Sequence, residues 1–109
     1  MKGFQGGPNM KNMMKQMEKL QKNMEEQKAQ VEAQEFEATA GGGVVKVTIN
    51  GKKEITAIEL DPEVVDADDI ETLTDLLIAA VNSAITTSEA EMEKAMGQFT
   101  QGLNIPGLF

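Results

Sequence analysis

The 109-residue sequence predicts an α+β fold in the order α-β-β-β-α, a three-stranded antiparallel sheet preceded and followed by a long helix. Three observations predict it. A heptad-spaced apolar seam runs from residue 10 to residue 31, alternation with a period of two replaces it from 35 to 60, and helical spacing returns from about 70 to 99. The length is that of one domain, small enough that self-association would help bury its apolar surface.

Residues 1 to 9 contain Gly3, Gly6, Gly7 and Pro8 and read as a flexible arm. Asn9 is suited to cap a helix that begins at Met10. Met10, Met13, Met17, Leu20, Met24, Gln27 and Val31 then follow on steps of three and four, one seam with a single polar break at Gln27, and the helix is expected to reach about Gln34. In the same register Lys11, Lys15, Lys19 and Lys22 fall on the side opposite the seam. They form a stripe facing solvent.

From Glu35 the period changes. Phe36, Ala38 and Ala40 alternate with Glu35, Glu37 and Thr39, and a turn at Gly41, Gly42 and Gly43 leads into Val44 to Asn50, where Val45, Val47 and Ile49 alternate with Lys46 and Thr48. Asn50-Gly51 is the pair that best supplies the positive φ angles of a tight hairpin. A third strand is expected from about Glu54 to Leu60. Ile58 and Leu60 share a face while Ile55 is out of step, which calls for a bulge or a shifted start. Asp61-Pro62 ends that strand, because proline offers no N–H to a ladder and restrains its predecessor.

The second helix is expected to begin near Asp66 to Asp68, with Asp68 and Glu71 spaced as a capping box. Its apolar face is Ile70, Leu73, Leu77, Ala80, Val81, Ala84, Ile85, Ser88, Met92, Ala95 and Phe99. Leu76 and Ile78 widen that face in the first half, which is therefore expected to be the better buried half. Gly102 is expected to stop the helix. The expected organisation is an arm at 1–9, a single domain at 10–101 and a short tail at 102–109.

Strands of six residues span about 20 Å, whereas helices of this length span about 37 and 46 Å. Neither helix can use its whole apolar face on so small a sheet. The overhanging ends must pack on each other or on a second subunit, so a homodimer with projecting helical arms is expected. Met10, Met13, Met17, Leu20 and Met24 are the residues assigned to that helix or dimer packing.

Charge is unevenly placed. Lysines account for all ten basic residues, and six of them (Lys2, Lys11, Lys15, Lys19, Lys22 and Lys28) lie in the first 28 residues. Residues 1–30 carry +3 and residues 31–109 carry −11, for a net charge of −8. Such asymmetry points to one part of the chain meeting an anion. On charge alone a solvated helix face is the commoner meaning of a lysine stripe; the functional meaning is contact with nucleic-acid phosphates. The lack of arginine removes the commonest bidentate contact to guanine. With neither tyrosine nor tryptophan, stacking platforms for single strands are not expected either.

Other chemistries find little support. The chain has no histidine and no cysteine, so the usual neutral-pH base, thiolate zinc sites and disulfides are all missing. Neither glycine cluster matches a phosphate-binding loop, and the acidic residues Asp61, Glu63, Asp66, Asp68, Asp69 and Glu71 lack the alternation and central glycine of a calcium loop. Helix capping accounts for most of them. No nucleophile and base stand out as a pair, so no enzyme, cofactor or metal is expected. No apolar run approaches the roughly 20 residues that cross a bilayer, and the start lacks a signal-peptide core. A soluble, cytoplasmic protein without a membrane partner is expected.

The order of these parts is itself specific. A glycine-rich start, a Met/Lys/Gln-rich helix, the hairpin G-x-V-K-V-x-x-N-G at Gly43, Val45, Lys46, Val47, Asn50 and Gly51, the strand end I-x-L-D-P at Ile58, Leu60, Asp61 and Pro62, and a long second helix together resemble the YbaB/EbfC family of bacterial nucleoid-associated proteins. The resemblance covers nearly the whole chain. It implies a tweezer-like homodimer that binds duplex DNA with little sequence preference. A place in the nucleoid, roles in its organisation, in gene regulation or in recombinational repair, and DNA repair or replication proteins as partners are implied with it. Contacts in such proteins are attributed to the projecting helices, which here selects Lys11, Lys15, Lys19 and Lys22, with Lys2 on the arm. Lys94 is the one lysine of the second helix, so the first helix is the main candidate. The alternative is an acidic protein-interaction scaffold with no direct DNA binding.

Overall fold

The computed structural model describes residues 7–103. Helix α1 spans Gly7–Ala33, strands β1, β2 and β3 span Glu35–Ala40, Val45–Asn50 and Ile55–Leu60, and helix α2 spans Ile70–Leu103. The strands form one antiparallel sheet in the order β1-β2-β3. This is the expected α-β-β-β-α arrangement. Helix α1 starts three residues ahead of Met10, because Pro8 fits a first turn whose N–H groups have no partner within the helix. Helix α2 starts at Ile70 rather than at Asp66 to Asp68, and it runs past Gly102 to Leu103.

The core lies where α2 crosses β1 and β2. Val45, Val47 and Ile49 of the central strand are fully buried, and Ala38 of β1 lies beside Val47. Against them α2 sets Ala80, Ala84 and Ser88, three small residues one turn apart that are all fully buried. Small side chains let the helix axis approach the sheet closely. Leu73, Leu76, Leu77, Val81 and Ile85 pack partly buried round this core, so the first half of α2 is the better buried half, although Ile70 and Ile78 within it are more than half exposed. Among the described residues no surface covers these two bulky side chains.

Ser88 is the one buried polar residue of that face among the described residues. Its hydroxyl donates to the Asn50 carbonyl at 2.8 Å, which fastens α2 to the end of β2. On the sequence it is only a polar interruption at the i+4 spacing of Ala80 and Ala84, a signal too slight to separate it from an exposed serine.

The β2–β3 turn departs from expectation. Gly51 does not have a positive φ; the left-handed residue is Lys53, at φ +67°. The loop has three residues, closed by Lys53 N–H to the Asn50 carbonyl at 3.1 Å, and Asn50 Oδ1 accepts from the N–H groups of Lys52 and Glu54. A type I turn followed by one left-handed residue suits such a loop. Glycine is needed at 51 for space instead, because a Cβ there would fall on the Val31 carbonyl and within 2.8 Å of the Glu32 Cα. Positive φ angles do occur in the β1–β2 turn, at Gly41, Gly42 and Gly43. The out-of-step Ile55 is explained: the register shifts beside Thr48 and Ile49, so Ile55 faces Ile49 while Ala57 faces Thr48.

After β3, Asp61 Oδ1 accepts from Glu63 N–H and Asp66 Oδ1 from Asp68 N–H, each at 2.9 Å. Asp69 Oδ1 then accepts from Thr72 N–H at 3.2 Å and caps α2, one residue later than the Asp68–Glu71 box places it. Most of the acidic run is therefore turn and cap chemistry. No group of residues suited to hold a metal occurs among the described residues.

Candidate nucleic-acid interface

Helix α1 leaves the body of the protein as an arm. Its C-terminal end is held: Val31 is 4% exposed, and Gln27, Val31 and Gln34 share a polar cleft with Glu91, Lys94, Ala95 and Gln98 of α2. Leu20, Met24 and Gln27 are half-buried, in keeping with a seam that packs on α2 as far as that helix reaches. Met10, Met13, Met14 and Met17 lie beyond and are more than half exposed. Of the five seam residues singled out on the sequence, Leu20 and Met24 are thus partly covered within the protomer, and Met10, Met13 and Met17 stand open. Met14, Met17, Leu20 and Met24 line a shallow apolar cleft of about 360 Å³, with Glu18 and Gln21 beside them.

Lys11, Lys15, Lys19 and Lys22 are all exposed on this arm. At about 100° per residue they fall within one quarter of the helix circumference, centred roughly opposite the methionine seam. At a rise of about 1.5 Å per residue the row is about 16 Å long. Glu18 borders it and Glu26 continues its line one turn beyond Lys22, leaving four cations to two anions along that side. Lys2 lies outside the described residues.

The lysines differ in their electrostatic surroundings. Lys46, on the outer face of β2, reaches Glu37 at 3.8 Å and Glu59 at 3.7 Å, and Lys53 reaches Glu89 at 3.2 Å. Those two cations are neutralised by their neighbours. Among the described residues no ion pair involves Lys11, Lys15, Lys19 or Lys22. A row of hydrated ammonium groups on a helix can exchange water and counterions for phosphate oxygens, point charge by point charge, without a bidentate geometry that would select a base.

Fold and stripe together define a class: a small α+β protein whose unneutralised cationic helix extends from a three-stranded sheet. Residues 5–103 match the YbaB/EbfC DNA-binding family, and the chain belongs to it. A nucleoid-associated protein of Alkaliphilus metalliredigens is 54% identical over 107 residues, covering 98% of this chain and 94% of the relative. A nucleoid-associated protein of Clostridium acetobutylicum is 52% identical over 103 residues, covering 94% and 92%. Among solved structures, an uncharacterized protein of Helicobacter pylori superposes with a TM-score of 0.68 over 81% of this chain and 92% of the other, at 18% identity. That last likeness concerns the fold alone. No helix among the described residues is long and apolar enough to cross a membrane.

Proposed function

We propose that this protein acts in the bacterial nucleoid as a homodimer that grips duplex DNA through the phosphates, with little preference for sequence. The observation that carries the reading is the row Lys11, Lys15, Lys19 and Lys22, exposed on a helix arm and unpaired while Lys46 and Lys53 are held by carboxylates. Lys2, just ahead of α1 in the chain, adds a further cation to that end. The family and the names of the relatives support DNA as the ligand. Low specificity follows from the missing arginines and from the few polar side chains on the stripe that could read base edges. Organisation of the nucleoid is the role this grip suits; regulation of genes and recombinational repair extend the same reading.

Two arms together bring eight lysines to the duplex. Contacts of that number make affinity fall by about 10³ to 10⁵ between 50 and 200 mM salt. Gel retardation of a duplex at low salt, repeated as salt is raised, tests this, together with a variant in which Lys11, Lys15, Lys19 and Lys22 are all changed to glutamate. Retardation that fades steeply with salt and is lost in the variant is expected. Failure of the unaltered protein to retard any duplex at low salt would falsify the DNA reading. It would favour an acidic scaffold, for which the exposed apolar residues of β3 speak; recovery of the same protein partners after nuclease treatment is that reading's own mark.

A further inference from the structure

Helices α1 and α2 leave the sheet at the same end. Ser88 of α2 donates to the Asn50 carbonyl, and Gly51 lies against the Val31 carbonyl of α1. From there α2 runs forward while α1, read backward, runs beside it, and Val31 and Ala95, 4% and 8% exposed, share the cleft between them. Leu103, the last residue of α2, is eight residues beyond Ala95, and eight residues back from Val31 is Asn23. Helix α2 therefore stops beside Leu20 to Met24, where the burial of α1 also ends. The apolar cleft of Met14, Met17, Leu20 and Met24, about 360 Å³, opens at that point. Met14 and Met17 are 59% and 69% exposed within it.

We infer that residues 104–109, which lie outside the described residues, occupy this cleft in the same chain, with Ile105 over Leu20 and Met24, and Leu108 and Phe109 over Met17 and Met14. The sequence after α2 supplies what the cleft lacks: Asn-Ile-Pro-Gly-Leu-Phe has no charged side chain and three large apolar ones. Pro106 brings no N–H for a further helical turn and disfavours helical backbone at Ile105, so an extended path is expected beyond Leu103. Six extended residues reach about 20 Å, and the cleft from Met24 to Met14 is about 15 Å long. Tethering, charge and shape favour this occupant over a separate molecule. Held at Leu103, the segment meets the cleft at an effective concentration on the order of millimolar, however dilute the protein. It brings no charge to an apolar lining, whereas a second copy brings a net charge of −8. Methionine side chains are unbranched and polarizable, so they adapt to two aliphatic groups and a ring, with sulfur favoured at the ring edge. The cleft lies on the side of α1 away from Lys11, Lys15 and Lys19, so the segment leaves the lysine row open. This goes beyond the DNA reading and does not depend on it.

Because the chain has no cysteine, one pair of introduced thiols reads the contact. The double variant Met17→Cys with Leu108→Cys, oxidised mildly at micromolar concentration, is expected to lose both free thiols and to stay at the monomer position on a denaturing, non-reducing gel. Glu71→Cys with Leu108→Cys, its first thiol at the far end of α2, is expected to keep both thiols free. Nuclear magnetic resonance of isotope-labelled methionine methyl groups tests the same contact without cysteines. Phe109→Leu, which removes the ring, is expected to move the methyl resonances of Met14 and Met17, assigned from Met14→Leu and Met17→Leu, and to leave that of Met92, beside Lys53 and Glu89, in place. Methyl resonances of Met14 and Met17 that do not move overturn the inference, and coupling of the thiols without such movement marks only a passing encounter. Movement without coupling keeps the segment in the cleft at a different register. A disulfide that forms only when the two single variants are mixed puts the segment on another copy, and movement with Phe4→Leu but not with Phe109→Leu gives the cleft to residues 1–6; either result overturns the assignment. Retardation of DNA by the unaltered protein is judged separately from all of these.

Discussion

Replacing Gly51 by alanine tests how α1 is seated on the sheet. The glycine sits beneath the end of α1, and a Cβ added there meets only backbone: the Val31 carbonyl and the Glu32 Cα at 2.8 Å. Carbon atoms settle at about 3.5–4.0 Å, so the shortfall against Glu32 is about 0.7 Å or more. No side chain can rotate away to provide it. Either α1 or the β2–β3 turn has to shift, and overpacking of this kind costs about 1–3 kcal/mol. Alanine restores about 0.4–1 kcal/mol by restricting the unfolded chain, since φ at 51 is not positive. The net loss is about 2 kcal/mol at the upper part of those ranges. In a domain of this size that lowers Tm by about 8–16 °C. Thermal unfolding followed by circular dichroism at one fixed protein concentration measures it, because association makes Tm depend on concentration. Gly42 provides the contrast. It has φ +73° and nothing within 4 Å of an added Cβ, so its cost is one of backbone conformation, which asparagine tolerates better than alanine does. Gly42→Asn should therefore recover part of what Gly42→Ala loses, whereas Gly51→Asn should be no better than Gly51→Ala. An unchanged Tm in Gly51→Ala, or rescue by asparagine at 51, refutes the steric account.

Two further outcomes are expected. Ser88→Ala removes the hydroxyl that donates to the Asn50 carbonyl, but Lys53 N–H still reaches that oxygen; the loss should be about 1 kcal/mol, read as a lower urea midpoint at unchanged slope. Asp69→Ala should cost about 1 kcal/mol through the lost cap on Thr72 N–H, and Asp69→Asn should restore most of it; equal loss in both variants would point to the charge rather than to the hydrogen bond.

The alternation of Val45, Val47 and Ile49 was legible because it repeats a period that burial on one side imposes, and the same holds for Leu20, Met24 and Val31 of the seam, whereas Met10, Met13 and Met17 keep the spacing without the burial. Ile55 was legible for the opposite reason: a side chain out of phase with Ile58 and Leu60 needs an extra residue in the ladder, and the register shift is there. Asn50-Gly51 misled because glycine has two uses, an unusual φ or a missing side chain, and local sequence cannot tell them apart. Only the approach of Val31, twenty residues earlier, decides it. The exposure of β3, Ile70 and Ile78 was hidden for a similar reason, since apolar alternation says that a face is meant to be covered but not by which part of the molecule. The lysine stripe could be drawn from its spacing, whereas the neutralisation of Lys46 and Lys53, which distinguishes those two from the stripe and from Lys28, Lys52 and Lys94, depends on strand pairing and on α2 passing near the turn.

The seating of α1 near Val31 and the open methionines toward its start make the helix a cantilever. The stretch beyond the packing on α2, from Leu20 to Met10, extends about 15 Å at 1.5 Å per residue. A tilt of 10° about Leu20 carries the far end through about 3 Å. Stiffness along a helix held both by α2 and by the close approach at Gly51 gives each jaw of the proposed pair a short stroke. The gap between two lysine rows can then adjust to the local width of a duplex without any change in the sheet.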